Sequence, residues 1–211
     1  MKLDQVHDLQ RTYRKLLACM ARPGTVGQCG AELERIDIEV PFNKAFLLFG
    51  LTLLDAETTL AVVSETAPDF AGFLARMTYA RTAPASEASF IFLPAPKKGL
   101  ELNDEVRELL LGTSRGTLID PHRGATVIIE TGTLSSKSGD VVDATRYRLV
   151  GPGIKRSSVL DIAGSDALRL STMVHARNEA CSEFPLGIDL ILLDAKGSFV
   201  CIPRTTRMEV A

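Results

Sequence analysis

The 211-residue sequence is poor in the side chains that metal, redox and disulfide chemistry require. It has four cysteines, Cys19, Cys29, Cys181 and Cys201, and none of them forms a CxxC pair. Four are too few for a disulfide scaffold, and Cys201 lies inside an apolar run, so reduced and mostly buried thiols are expected. The three histidines, His7, His122 and His175, are far apart and lack neighbouring cysteines or carboxylates at zinc spacing. No metal site is therefore read from the sequence. No uncharged apolar run approaches the roughly 18 residues of a membrane span. The opening MKLDQVHDLQRTYRK puts Asp4, Asp8 and Arg11 where a signal peptide needs an apolar stretch, so a soluble, cytoplasmic protein is expected. An excess of one charge is missing as well. The 24 basic and 26 acidic residues leave a net −2, which argues against a nucleic-acid coat, since phosphates call for a basic face.

The common catalytic motifs are absent too. There is no GxxxxGK[ST] phosphate loop and no GxSxG elbow. Gly24, Gly27 and Gly30 are spaced three apart with no strand before them, which reads as turn-forming glycine rather than a dinucleotide loop. No set of nucleophile, base and orienting group stands out, so no catalytic residue is assigned.

What the chain does have is apolar material, 45% of its residues, arranged in two alternating patterns. Val6, Leu9, Tyr13, Leu16, Leu17 and Met20 share one helical face that ends at Pro23-Gly24. Pro41-Phe42-Asn43 opens a second helix, Lys44 to Leu54, apolar around most of its circumference and hence central. Strands are expected at Thr58–Val63, Ser89–Leu93, Ala125–Thr131 and Tyr147–Val150. Helices are expected after a Thr66/Pro68/Asp69 cap as far as Tyr79, over Asn103–Leu111 and over Asp166–Ala180. Near the C-terminus IDLILL and FVCI form a hairpin. This alternation predicts one domain over residues 1–211, a three-layer α/β/α arrangement around a mixed sheet. The strands from about 125 to 150, and those from 188 to 202, are expected as antiparallel additions.

Four clusters carry charge that could serve a ligand. Arg14, in TYRKLL on the first helix, is either a solvated charge or a contact for an anion or partner. Asp120-Pro121-His122-Arg123-Gly124 is a turn before a strand, where His122 could serve acid/base work or the polar groups could bond only locally. Gly151-Pro152-Gly153 precedes Lys155 and Arg156 and is a tight turn or an anion nest. Arg204-Thr205-Thr206-Arg207 follows Pro203 and offers guanidinium forks and hydroxyls to a phosphate, a carboxylate or an interface rim; a solvated tail is the plain alternative. If this segment closes against the body of the fold, Pro203 fixes its exit, and Met208 and Val210 are apolar anchors beyond it.

Phe184-Pro185-Leu186-Gly187-Ile188-Asp189-Leu190-Ile191-Leu192, with Ile202-Pro203-Arg204-Thr205-Thr206, resembles the C-terminal signature of the PhnH family, the H subunit of the bacterial carbon–phosphorus lyase system. The likeness extends to Tyr13-Arg14-Lys15-Leu16-Leu17 with Met20 and Pro23-Gly24, to Leu51-Thr52-Leu53-Leu54-Asp55, to Gly124-Ala125-Thr126, and to Leu149 with Gly151-Pro152-Gly153-Ile154.

The resemblance implies a fold like the large domain of pyridoxal-phosphate-dependent transferases, without that cofactor. It implies a homodimer that joins the G, I and J subunits. In that complex the I subunit, helped by the G and L subunits, places a phosphonate on the ribose of ATP; adenine leaves and ribose 1-phosphonate 5-triphosphate forms. Radical cleavage then belongs to the iron–sulfur J subunit, which agrees with the lack of a cysteine cluster here. None of Lys44, Lys97, Lys98, Lys137, Lys155 and Lys196 sits in a motif for a pyridoxal Schiff base, so no cofactor is expected and fold alone transfers no activity. The expected role is an accessory, non-catalytic subunit of the ribose 1-methylphosphonate 5-triphosphate synthase. The alternative is a free-standing enzyme or binding protein for a phosphorylated or phosphonate small molecule, using His122 and the arginines.

Overall fold

The structure, a computed structural model, describes residues 2–64, 69–95, 103–137, 141–164 and 167–211. The expected cap at Thr66 and Pro68, the lysines Lys97 and Lys98, and the helix start at Asp166 lie outside the described residues. In chain order the elements are α1 (His7–Ala21), β1 (Val26–Gln28), α2 (Gly30–Leu33), α3 (Lys44–Leu53), β2 (Thr59–Val62), α4 (Phe70–Thr78), β3 (Arg81–Thr82), β4 (Phe90–Leu93) and α5 (Asn103–Gly112). A 3₁₀ turn (Pro121–Arg123) then leads to β5 (Thr126–Glu130), β6 (Thr133–Ser135), β7 (Ala144–Val150), β8 (Ser158–Ala163), α6 (Ala167–Ala180), β9 (Asp189–Leu193), β10 (Ser198–Ile202) and β11 (Arg207–Val210).

Seven strands form one mixed sheet in the order β1-β10-β9-β5-β4-β2-β3. The run β9-β5-β4-β2-β3 is parallel, and β10 and β1 add antiparallel pairings at one side. The central strands are apolar at consecutive positions because both faces are covered. Val127 and Ile129 enter one core with Ile91, Leu93, Leu190 and Leu192, and α5 and α6 cover that side. Ile128 points the other way, with Phe92, Ile191 and Leu193, into a core closed by α1, α3 and α4. There Phe92 meets Phe46 edge-on with ring centroids 5.9 Å apart. The central placement expected for α3 follows from its sequence, since Ala45 to Gly50 are all buried. Asn43 starts it by accepting the Ala45 N–H at 2.9 Å, an N-cap.

The α/β class and the mixed sheet agree with the expectation, as does the antiparallel β9–β10 hairpin. Two details need correction. The strands from about 125 to 150 are not antiparallel neighbours: β5 pairs in parallel with β4 and β9, and the strand at 144–150 belongs to a second, antiparallel sheet of four strands, β11-β7-β8-β6. Its sequence contains the reason. Tyr147 and Leu149 are buried in the core shared with α6, while Arg146 and Arg148 alternate with them and are exposed, the pattern of a strand with one wet face. The outer charges pair across strands: Arg146 with Asp161 at 2.8 Å and Arg148 with Glu209 at 3.1 Å. The second correction is Gly27, which is no turn former. It lies in β1, where an added Cβ would stand 2.4 Å from the Phe199 ring.

The opening helix is held to α2 by charge. Asp8 is fully buried; its carboxylate accepts the Asp4 N–H at 2.8 Å and pairs with Arg35 at 3.0 Å and with Arg11. Glu32, also buried, takes Lys15 Nζ at 2.7 Å. Burial by itself raises the Asp8 carboxyl, but the Asp4 amide and the guanidiniums of Arg35 and Arg11 pull harder, so it stays below the ordinary carboxylate range. A folded-state pKa below the unfolded one stabilises the fold at neutral pH, and the contribution disappears as pH falls through the folded value. Asp8→Asn is therefore expected to cost about 1–2 kcal/mol at pH 7, given the half-exposed arginines, and to flatten the acid limb of stability below about pH 4. Thermal melts of both proteins from neutral to acid pH check this; parallel acid limbs would refute it.

Candidate functional site

The chain leaves the seven-stranded sheet at Ile202 and enters the four-stranded one at Arg207. The polar segment between them is thus a sheet-to-sheet turn, continued by β11 paired along β7, and Met208 is fully buried as its anchor. Arg204 is the centre of this turn. Its main-chain N–H donates to Asp189 Oδ1 at 2.7 Å, and its Nη2 reaches Asp189 Oδ2 at 2.6 Å. The same guanidinium donates through Nη1 to the carbonyl of Pro121, and through Nη2 to the carbonyl of Gly124 at 3.4 Å. The two side chains of the pair are only 16% and 20% exposed. One arginine therefore binds the first residue of β9 to both ends of the 3₁₀ turn before β5.

Two glycines permit this approach. A Cβ at Gly124 would lie 2.3 Å from the Gly187 carbonyl oxygen and 2.5 Å from Arg204 Nη1. Gly187 has φ +150°, and its own Cβ would meet Cys181 Sγ at 2.8 Å. The Gly187 N–H donates to the Arg115 carbonyl at 3.0 Å, which ties the 184–187 loop to the 113–124 loop.

From below, α6 supports the turn through Arg177, which is 1% exposed. Its guanidinium donates to the carbonyls of Pro203 and Thr206, and neighbouring Asn178 Nδ2 donates to the Met208 carbonyl at 2.6 Å. Burial pushes the Arg177 guanidinium down from its usual range. Thr206 is buried beside it, and its Oγ1 has no hydrogen-bond partner among the described residues.

Of the residues singled out from sequence, Arg204 and Thr206 are thus inside the joint, while Thr205 and Arg207 are on its surface. Arg207 pairs with Glu209 at 2.7 Å. His122 and Arg123 ride on the turn that Arg204 holds, and their side chains are 76% and 72% exposed, with Asp120 carboxylate oxygens 4.0 and 3.7 Å away. Arg14 is not part of this assembly; it lies exposed on α1, beside the exposed Tyr13 and Leu17. Lys155 and Arg156 are exposed after a turn closed by Ile154 N–H to the Gly151 carbonyl at 3.2 Å.

Asp189, Gly124 and Gly187 stand in the quoted segments but were given no binding role, and Arg177 was not noted, although two left a trace. Asp189 is a lone carboxylate opening the apolar run LILL. Arg177 continues the spacing of Leu170, Met173 and Val174, which places it on the buried face of α6. Among the described residues no helix is long and apolar enough to cross a membrane, and no group of three His, Cys, Asp or Glu side chains could hold a metal ion.

The segments that meet here, around Gly124, from Phe184 to Leu192 and from Ile202 to Thr206, carry the signature noted in the sequence. The family model described as "Bacterial phosphonate metabolism protein (PhnH)" matches residues 2–209. The chain belongs to the PhnH family. One PhnH relative, from Rhizobium meliloti (strain 1021), is 29% identical over 210 residues, covering 98% of this chain and 92% of its own length. It is named "Alpha-D-ribose 1-methylphosphonate 5-triphosphate synthase subunit PhnH". A second, from Stutzerimonas stutzeri, is 28% identical over 204 residues, covering 95% of this chain and 86% of its own, and is named "Putative C-P lyase subunit protein HtxG".

Proposed function

We propose that this protein is an accessory subunit of a ribose 1-methylphosphonate 5-triphosphate synthase, the carbon–phosphorus lyase assembly of phosphonate breakdown. The family match along residues 2–209, with relatives named as subunits of that system, supports the reading. The observation that carries it is how Arg204 is used. Its donors face Asp189 and two main-chain carbonyls, so the most distinctive cation of the signature fixes loops and is largely withdrawn from solvent. Such an arginine sets the shape of a surface; the exposed groups around it, His122, Arg123, Thr205 and Arg207, are left to meet a partner or an anion.

The finer points of the resemblance belong to the same reading. These are a fold like the large domain of pyridoxal-phosphate transferases without the cofactor, a cytoplasmic homodimer, and contacts with the G, I and J subunits. Val6, just before α1, and Tyr13 and Leu17 on it are exposed apolar side chains available to a two-fold contact. Purification of the tagged chain from a host grown on methylphosphonate is expected to recover the other synthase subunits in fixed proportion. The isolated chain is expected to release no adenine from ATP with methylphosphonate. Steady turnover by the isolated chain would favour the free-standing enzyme instead.

A further inference from the structure

The loop between α5 and β5 holds apolar side chains out in water. Leu118 is 67% exposed and Ile119 is 90% exposed, and Phe184, on the loop tied to it, is 78% exposed. Single exposed apolar residues are ordinary, but three large ones on two joined loops are not. These loops are also closely hydrogen-bonded. Thr117 N–H donates to the Asp120 carbonyl at 3.2 Å and Asp120 N–H to Thr117 Oγ1 at 2.9 Å, so a tight turn carries Leu118 and Ile119 at its tip. Ser114 Oγ donates to the Arg123 carbonyl at 3.1 Å, and Ala125 N–H to the Ser114 carbonyl at 2.8 Å, which closes the base. Gly116, at φ +78°, lies against this base, where a Cβ would stand 2.7 Å from the Pro121 carbonyl oxygen. Arg204 then binds the base to Asp189. A loop fixed in this way loses little conformational freedom on docking, so its apolar tip is preorganised for contact.

We propose that the Leu118–Ile119 tip, with Phe184 exposed on the loop joined to it, is a knob that inserts into an apolar concavity on a different polypeptide of the same assembly. The proposal rests on the subunit reading above. Two features point to a different chain rather than a second copy. A two-fold contact sets a patch against itself, and a convex tip is not its own complement. The Leu118–Ile119 loop also carries the exposed cations Arg115 and Arg123 and His122; its one acid, Asp120, already faces His122 and Arg123, and the exposed Glu183 lies on the other loop beside Phe184. Self-pairing would oppose these cations, whereas a rim of carboxylates on the receiving subunit would match them.

The test uses the tagged full-length chain co-expressed with the other synthase subunits. Leu118→Ser/Ile119→Ser is expected to weaken recovery of those subunits at least about tenfold, as removal of anchor side chains does. Its melting temperature and its self-association by sedimentation should match wild type, because both side chains are exposed. Arg123→Glu should weaken recovery most at low salt. Wild-type recovery by the double variant overturns the knob, and loss of self-association by that variant assigns the patch to a second copy. An unchanged salt profile for Arg123→Glu overturns the acidic rim. Failure of the wild-type chain to recover any subunit sinks the subunit reading itself, a result distinct from all of these.

Discussion

Arg204→Ala is expected to melt on the order of 10 °C below the wild-type protein, a loss of about 2–4 kcal/mol. The size follows from what the substitution leaves behind. Asp189, 20% exposed, loses its guanidinium and keeps only the Arg204 N–H at 2.7 Å. The carbonyls of Pro121 and Gly124 lose a charged donor in the same step. Breaking one side of a largely buried pair costs more than the pair contributes, because the remaining charge must be solvated or neutralised. Asp189→Asn/Arg204→Ala should therefore recover part of the loss, as expected for coupled partners. An Arg204→Ala protein that melts within a degree or two of wild type would return Arg204 to the class of ordinary surface charges. Complex yield measured on the same variants separates the two roles of the joint. A yield that drops further than stability explains would mean that the position of the 113–124 loop matters to the partner.

Arg177→Ala should be the more damaging change, at about 3–5 kcal/mol. Arg177 is 1% exposed, and no carboxylate pairs with it within salt-bridge distance among the described residues. Its guanidinium is held by the carbonyls of Pro203 and Thr206 instead. Truncation strips both carbonyls of their charged donor, although the Pro203 carbonyl keeps the Thr206 N–H at 2.8 Å, and it opens a cavity under the turn. Relief of a desolvated charge works in the opposite direction, so Arg177→Met is the informative comparison. Methionine restores most of the volume but none of the donors. If the lost charged donors dominate, Arg177→Met stays well below wild type in denaturant unfolding; if charge burial dominates, it equals or exceeds wild type, and the assignment of Arg177 as the support of the turn fails.

The central sheet was readable from sequence because burial on both faces leaves an unmistakable imprint. TVIIE, FIFL and DLILL are apolar at consecutive positions, and each became a central strand, although TVIIE runs parallel to both its neighbours and not antiparallel as expected. The second sheet was hidden. β6 and β11 are three and four residues long, and β8, SVLDIA, carries Asp161 in the middle of its run. That carboxylate faces Arg146 across the ladder at 2.8 Å, a partner fifteen residues earlier that no local pattern reveals. The joint was half legible. Pro203 and the apolar anchor Met208 gave the turn, but whether a guanidinium faces water or a carbonyl depends on chain segments more than sixty residues apart. Arg204 and Arg207 look equivalent in RTTR, and only tertiary contact distinguishes the enclosed one from the exposed one.

The order of strands along the chain has a consequence for a ribosome-bound polypeptide. β1 has β10 as its neighbour, β5 waits for β9, and β7 gains its outer partner only with β11. Every one of these late strands follows α6. A nascent chain that pauses near Ala180 therefore holds both sheets with an open flank, and its apolar strands are available to chaperones, to proteases and to other unfinished copies.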